Sequence, residues 1–180
     1  MPVATRKGPR VDENGGREGM TDDYRAGLQT LYDGEVMGER LLLALHAAAR
    51  SPREADHFAA ILQLETETKA RLRPLLLKYG MSLAETADLG GIPARLAGYA
   101  SQSWRDYTAA TGSRLADVLS DYEAIAALGP PEDQPILDAV VRHEAALLDW
   151  ARAEAEGETD QSLAAIVDLL CFPPAATVRG

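Results

Sequence analysis

The sequence predicts an all-α protein: an antiparallel four-helix bundle with a short C-terminal fifth helix. Three observations carry this. Four long stretches place apolar residues three and four apart, the spacing of one face of a helix. No stretch alternates as a strand does, and alanine and leucine outweigh β-branched residues, which favours helix over sheet. The connection between the first two stretches is very short, so they must lie side by side and antiparallel.

The elements follow in order. Residues 1–20, "MPVATRKGPRVDENGGREGM", mix glycine, proline and charge without periodicity and read as a disordered tail. The bundle is expected over 21–172, with a second tail over 173–180. The first helix runs from Thr21 to about Arg50. Gly27, Gly34 and Gly38 lower its propensity, so either tertiary packing overrides that cost or another backbone comes close there. The second helix has Ser51 as N-cap, Pro52 as its first residue and Glu54 completing a capping box. Gly80 supplies its left-handed end, and Pro74 predicts a kink or an early stop near Arg73. Ser82 and Glu85 read as another capping box, for a short helix ahead of the turn "LGGIP" at 89–93. The third long helix spans about 103–128, with a break at Gly112. "GPPEDQP" at 129–135 ends it and opens the fourth, about 136–156, which stops at Gly157. Asp160 caps a last short helix over 161–171, and "FPP" terminates it.

Composition bounds the function. With 180 residues, 46% apolar and 26% charged, the chain is expected to form one soluble globular domain. A net charge of −10 excludes nucleic acid and anionic membranes as partners, since both need a basic surface. The longest apolar run, "LLLAL" at 41–45, is too short to span a bilayer. The N-terminus lacks the apolar core of a signal peptide, so a cytoplasmic location is expected. Cys171 is the single cysteine, which precludes an intramolecular disulfide and suggests a small buried hydrophobe near a helix end. There is no phosphate-binding loop, nucleophile elbow or zinc spacing. Trp104, Tyr107, Tyr122 and Trp150 read as core or interface aromatics, with "SWRDY" at 103–107 lying over one bundle end.

The informative residues are acids on apolar stripes. In the first helix Leu28, Leu31, Leu42 and Leu45 share a face with Glu35, and Glu39 borders it. In the second, Phe58, Ile61, Thr68, Leu72 and Leu75 share a face with Glu65. In the third, Leu115, Val118, Tyr122 and Ile125 form the stripe, with Asp121 at its edge. In the fourth, Ile136, Val140, Leu147 and Ala151 flank His143 and Glu144. An unpaired buried carboxylate is costly, so it must be neutralised, paired or bound to metal. Arg40, Lys69, Arg71 and Arg73 could pair these acids, and Thr68 or a tyrosine hydroxyl could hydrogen-bond them. Carboxylates meeting across a bundle core are also how such folds hold metals, and hard oxygens with an imidazole suit iron or manganese. His143 and Glu144 are adjacent, about 100° apart around the helix, so they do not both point squarely into one site. His46 lies about 16 Å along the helix from Glu35, too far to share its site. His57 reads as a surface or boundary residue.

With "LETETKARLRPLL" at 64–76 and "VRHEAALLDWARAEAEG" at 141–157, the chain resembles the ferritin-like superfamily, in particular its uncharacterised bacterial members, over residues 22–157. The resemblance implies a di-iron ligand pattern of one Glu on the first helix and Glu-x-x-His on the second, repeated on the third and fourth. Glu35, Glu65 and Glu144 stand at three of those positions. Thr68 and Leu147 stand where the histidines belong, Asp121 is nearest to the third-helix acid, and His143 is the alternative nitrogen donor. The resemblance thus implies a carboxylate-rich interior with Glu35, Glu65, His143 and Glu144 as candidate ligands for iron or manganese, in an oxidoreductase of unread substrate. The alternative is a metal-free, degenerate bundle that forms a homodimer or binds a partner, its acids paired internally.

Overall fold

The computed structural model describes residues 21–157 and 161–173. The tail expected over 1–20, Asp160 and all but the first residue of the tail expected over 173–180 lie outside the described residues. Among the described residues there are six helices and no strand: α1 (Asp22–Ala47), α2 (Pro52–Lys78), α3 (Ile92–Ser101), α4 (Trp104–Ala126), α5 (Gln134–Glu156) and α6 (Ala164–Val167).

Local chemistry sets the ends. Thr21 Oγ1 accepts the Tyr24 N–H at 3.1 Å and starts α1. Ser51 Oγ accepts the Glu54 N–H at 3.2 Å and starts α2. The Glu54 carboxylate accepts the N–H of Arg50 rather than that of Ser51, so the capping box is offset by one residue. At the other end Gly80 takes φ +63°, and the Met81 N–H returns to the Leu76 carbonyl at 2.9 Å. Gly157 ends α5 with φ +88°. Pro74 does not stop α2, which continues to Lys78. Burial of Leu72, Leu75 and Leu76 around the proline holds the last turns in place.

Two expectations of the sequence are displaced. The short helix of the crossover follows the turn at Gly90 instead of preceding it. Ser82 Oγ accepts the Ala84 N–H, while the Glu85 carboxylate is taken by Lys69 at 2.7 Å and Arg40 at 2.9 Å and caps nothing. The last helix is one turn, Ala164–Val167, within the predicted 161–171. Cys171 lies beyond it and is exposed, accepting from Arg71 at 2.9 Å, so it is no buried hydrophobe.

Cross-contacts fix the direction of each helix. Arg25 near the start of α1 reaches the Tyr79 carbonyl just past α2, so the two are antiparallel. Gln134 reaches back to the Ala126 carbonyl and Trp104 to Glu154, so α4 and α5 are antiparallel too. Gly27 faces Ile125 and Gly34 faces Tyr122, which sets α1 antiparallel to α4. Lys78 meets Asp133 and His57 meets Trp150, which sets α2 antiparallel to α5. The consecutive long helices α2 and α4 therefore run the same way. Only a connection as long as the bundle can join them, and residues 79–103 do so. This crossover follows α1: Tyr32 donates to the Leu83 carbonyl, Arg40 pairs with Glu85, and the Arg50 N–H reaches Tyr99 Oη at 3.1 Å.

The apolar interior is divided. One cluster holds Leu28, Leu31, Leu72, Leu76, Leu137 and Val140; the other holds Leu45, Phe58, Ile61, Tyr107, Leu147 and Trp150. Along α1, α2 and α5 the boundary between them is occupied by Glu35, Glu65, His143 and Glu144, all buried. Polar groups also tie each bundle end. At one, Asp133 accepts from Tyr24, Lys78 and Tyr79. At the other, Glu154 accepts from Arg53, Trp104 and Ser162. His57 is buried there and not a surface residue, its Nδ1 accepting the Trp150 indole N–H at 2.9 Å.

Candidate metal centre

Each residue of the middle layer sits where its helix would otherwise continue an apolar stripe. Glu35 follows Leu28 and Leu31 inward on α1, Glu65 follows Phe58 and Ile61 on α2, and His143 follows Val140 on α5. The structure brings these three together. His143 Nδ1 lies 3.4 Å from Glu35 Oε2, and Nε2 lies 3.8 Å from Glu65 Oε1. One donor atom from each of the three lies within 4.8 Å of the others. One ion can take only one of the two imidazole nitrogens, and donor atoms about 2 Å from a shared ion stand about 3–4 Å apart, so the triad would have to draw in slightly from its 4.8 Å limit to close on one ion. Hydrogen bonds at these separations would be too long or very weak.

Glu144 is also buried but is not part of that triad. It lines a cavity beside Glu65 and Leu147. The two neighbours on α5 thus divide as the helical angle requires, His143 to the triad and Glu144 to the cavity. The third-helix acid has no counterpart: Asp121 is exposed, and the buried residue next to it is Tyr122. Thr68 is buried, and Leu147 belongs to the apolar cluster. His46 is exposed and remote, as expected.

Two glycines make the layer compact. A Cβ at Gly34 would overlap the Tyr122 hydroxyl, and one at Gly38 would overlap the Glu65 carboxyl group. Their absence of a side chain is what lets these groups enter, so of the two alternatives for the α1 glycines it is side-chain packing, and not a second backbone, that meets them.

The layer lacks compensation. Both oxygens of Glu35, both nitrogens of His143 and Glu144 Oε2 are buried without a hydrogen-bond partner. The cations that could have neutralised the acids are engaged elsewhere. Lys69 pairs with Glu39 and Glu85, Arg40 and Arg73 lie against Glu85, and Arg71 reaches Cys171. Burial, reinforced by the neighbouring Glu65 and Glu144, drives the Glu35 carboxyl well above the usual carboxylate range. Burial and the nearby Glu144 do the same to Glu65. Burial alone lifts Glu144 to about 7. Burial, with a smaller contribution from Arg71, lowers His143 to about 3. The metal-free layer therefore favours neutral carboxyls and a neutral imidazole. A proton held by Glu35 or Glu65 can bridge the two, since as carboxylates neither donates. Burial and the surrounding glutamates keep the Tyr122 phenol protonated.

The chain matches no family model, no curated protein and no solved structure. No helix among the described residues is long and apolar enough to cross a membrane.

Proposed function

We propose that the protein is a ferritin-like bundle that holds one iron or manganese ion on Glu35, Glu65 and His143 and uses it in oxidoreductase chemistry. The observation that carries this is the convergence of Glu35, Glu65 and His143 from three helices, with both Glu35 oxygens and both His143 nitrogens buried without a hydrogen-bond partner and no lysine or arginine within ion-pair distance of either acid among the described residues. Desolvating such a layer is unfavourable unless an ion occupies it. Two carboxylates and an imidazole are the donors that iron and manganese accept well. The bundle-length crossover between α2 and α4 supports the ferritin-like assignment, since that family's bundles carry one such connection. Three donors suit a single ion, whereas the family's di-iron pattern asks for six.

Bound there, the metal would supply redox and Lewis-acid chemistry. The rest belongs to this chain. Glu35 and Glu65 surrender protons on binding, as metal ligands must. His143 is already neutral and offers a free nitrogen. Glu144 places an ionisable carboxyl on the cavity side of the layer, and Tyr122 places a phenolic proton there. The apolar clusters above and below the layer lower the local dielectric, which strengthens the electrostatic interactions within it.

The test is metal content. The full chain, expressed with iron and manganese supplied, should carry close to one ion. Glu35→Ala and Glu65→Ala should each lose at least about tenfold in affinity. Purified protein that keeps its helical circular dichroism but binds neither ion, or variants that bind as tightly as the wild type, would overturn the proposal.

A further inference from the structure

A cavity of about 200 Å³ reaches the layer from the α1, α3 and α4 side. Its inner end holds Glu65, Glu144 and Tyr122. Its walls are apolar, among them Leu41, Leu115 and Val118. Its other end is chemically different: Arg95 from α3, and Tyr107, Thr111 and Arg114 from α4. Arg114 Nη2 donates to Thr111 Oγ1 at 2.9 Å, which orients the guanidinium. Neither arginine has a carboxylate within ion-pair distance among the described residues, in a chain with 28 acidic and 18 basic side chains. Partial burial of its guanidinium depresses Arg114 below the usual arginine value, and the like charge of Arg95 adds to it. Both guanidiniums are exposed at the mouth of the cavity, near enough for Arg95 to act on Arg114, and two such cations without an anion, where acids are in excess, offer a seat for an anion supplied from outside.

We infer that this cavity binds an oxyanion-headed amphiphile, a carboxylate or phosphate ester with an aliphatic body, its head on Arg95 and Arg114 and its body directed toward the layer. The dimensions agree. Tyr122 lies eight residues on from Arg114 in α4, about 12 Å along the axis, which sets the length of the body. Arg95 of the crossover and Arg114 of α4 line the same cavity, so the head would be met by two elements and the body enclosed by the bundle. That the bound molecule is the substrate of the metal rests on the proposed function; that it binds does not.

Calorimetric titration of the metal-free full chain tests binding separately from metal content. The probes are octanoate, octyl phosphate, octanol and acetate, all below micellar concentrations. Octanoate or octyl phosphate should bind, and comparing the two distinguishes a carboxylate from a phosphate head. Octanol, lacking the charge, and acetate, lacking the body, should each bind at least about tenfold more weakly. The double variant Arg95→Ala/Arg114→Ala, altered only at exposed side chains, should lose about tenfold or more for the charged probes and little for octanol. Octanol binding as well as octanoate, an unaffected double variant, or no binding of either charged probe to folded protein would each overturn the inference. A failed titration leaves the ion count untouched, and a metal-free protein leaves the titration interpretable.

Discussion

At the scale of single residues, the proposed function rests on side chains that are least suited to stability. Glu35 is completely buried, and its hydrogen-bonding neighbour, through a shared proton, is Glu65, another buried acid, so replacing it should help the metal-free fold. Glu35→Leu should raise chelator-treated stability by about 1–3 kcal/mol in urea denaturation while abolishing tight metal binding. A destabilised variant would mean that the carboxyl has a stabilising role of its own. The two glycines beside the layer should behave differently from each other. Gly38→Ala meets first the carboxyl end of Glu65, a side chain with three rotatable bonds. It should gain up to about 1 kcal/mol of helix propensity and yet lose about tenfold or more in metal affinity as Glu65 is pushed aside. Gly34→Ala meets a tyrosine hydroxyl at the end of a rigid ring, and should cost about 1–3 kcal/mol. Unchanged metal affinity in Gly38→Ala would remove Glu65 from the ligand set. The acids were legible in the sequence because a charge that interrupts an apolar stripe is visible in one dimension. The choice between His143 and Glu144 was not, since adjacent residues differ by an angle that only neighbouring helices resolve. Tyr122 read as a core aromatic for the same reason: nothing along α4 says that its hydroxyl meets a glycine on α1.

At the scale of elements, helix ends were read from short-range chemistry and mostly hold. The Thr21 and Ser51 caps and the glycine ends of α2 and α5 involve residues within a few positions of each other. The crossover was misread because Ser82 and Glu85 have the spacing of a capping box, while the partners that claim Glu85 come from α1 and α2. The arginine pair is invisible in the sequence for a similar reason, since Arg95 and Arg114 line one cavity only once the crossover is laid along the bundle. A second long-range tie gives a pH dependence. Burial raises the Asp133 carboxyl, but bonds from Lys78, Tyr79 and Tyr24 outweigh it and hold the group below its usual value. A carboxylate lowered in the folded state contributes stability that is present above its unfolded value, near 3.8, and is lost as pH falls through the folded one. Asp133→Ala should cost about 1–3 kcal/mol at neutral pH, and the gap to wild type should close as denaturation curves are taken into acid. A gap independent of pH would show that packing, not charge, sets the cost.

For the whole molecule, the metal would join α1 and α2 from one hairpin to α5 from the other, so occupancy should stabilise the entire bundle. At an ion concentration 100-fold above the dissociation constant the gain is about 2.7 kcal/mol. For a chain of this size that is a rise of about 5–10 °C in melting temperature. Calorimetry with and without manganese measures it, and the rise should vanish in Glu65→Ala. The all-helical class and the bundle's long elements were readable because four amphipathic stripes need one another to be buried. The layer's position between two apolar clusters was not, because it depends on how far each helix slides past its neighbour. The crossover carries a further consequence, in time. Within each hairpin the contacts are close in sequence and can form quickly, but joining the hairpins must wait for residues 79–103 to travel the length of the bundle. Glu35 and Glu65 meet in the first step and His143 joins them only in the second. The proposed centre would then be completed only when the hairpins join, and an ion arriving earlier would find two carboxylates and no imidazole.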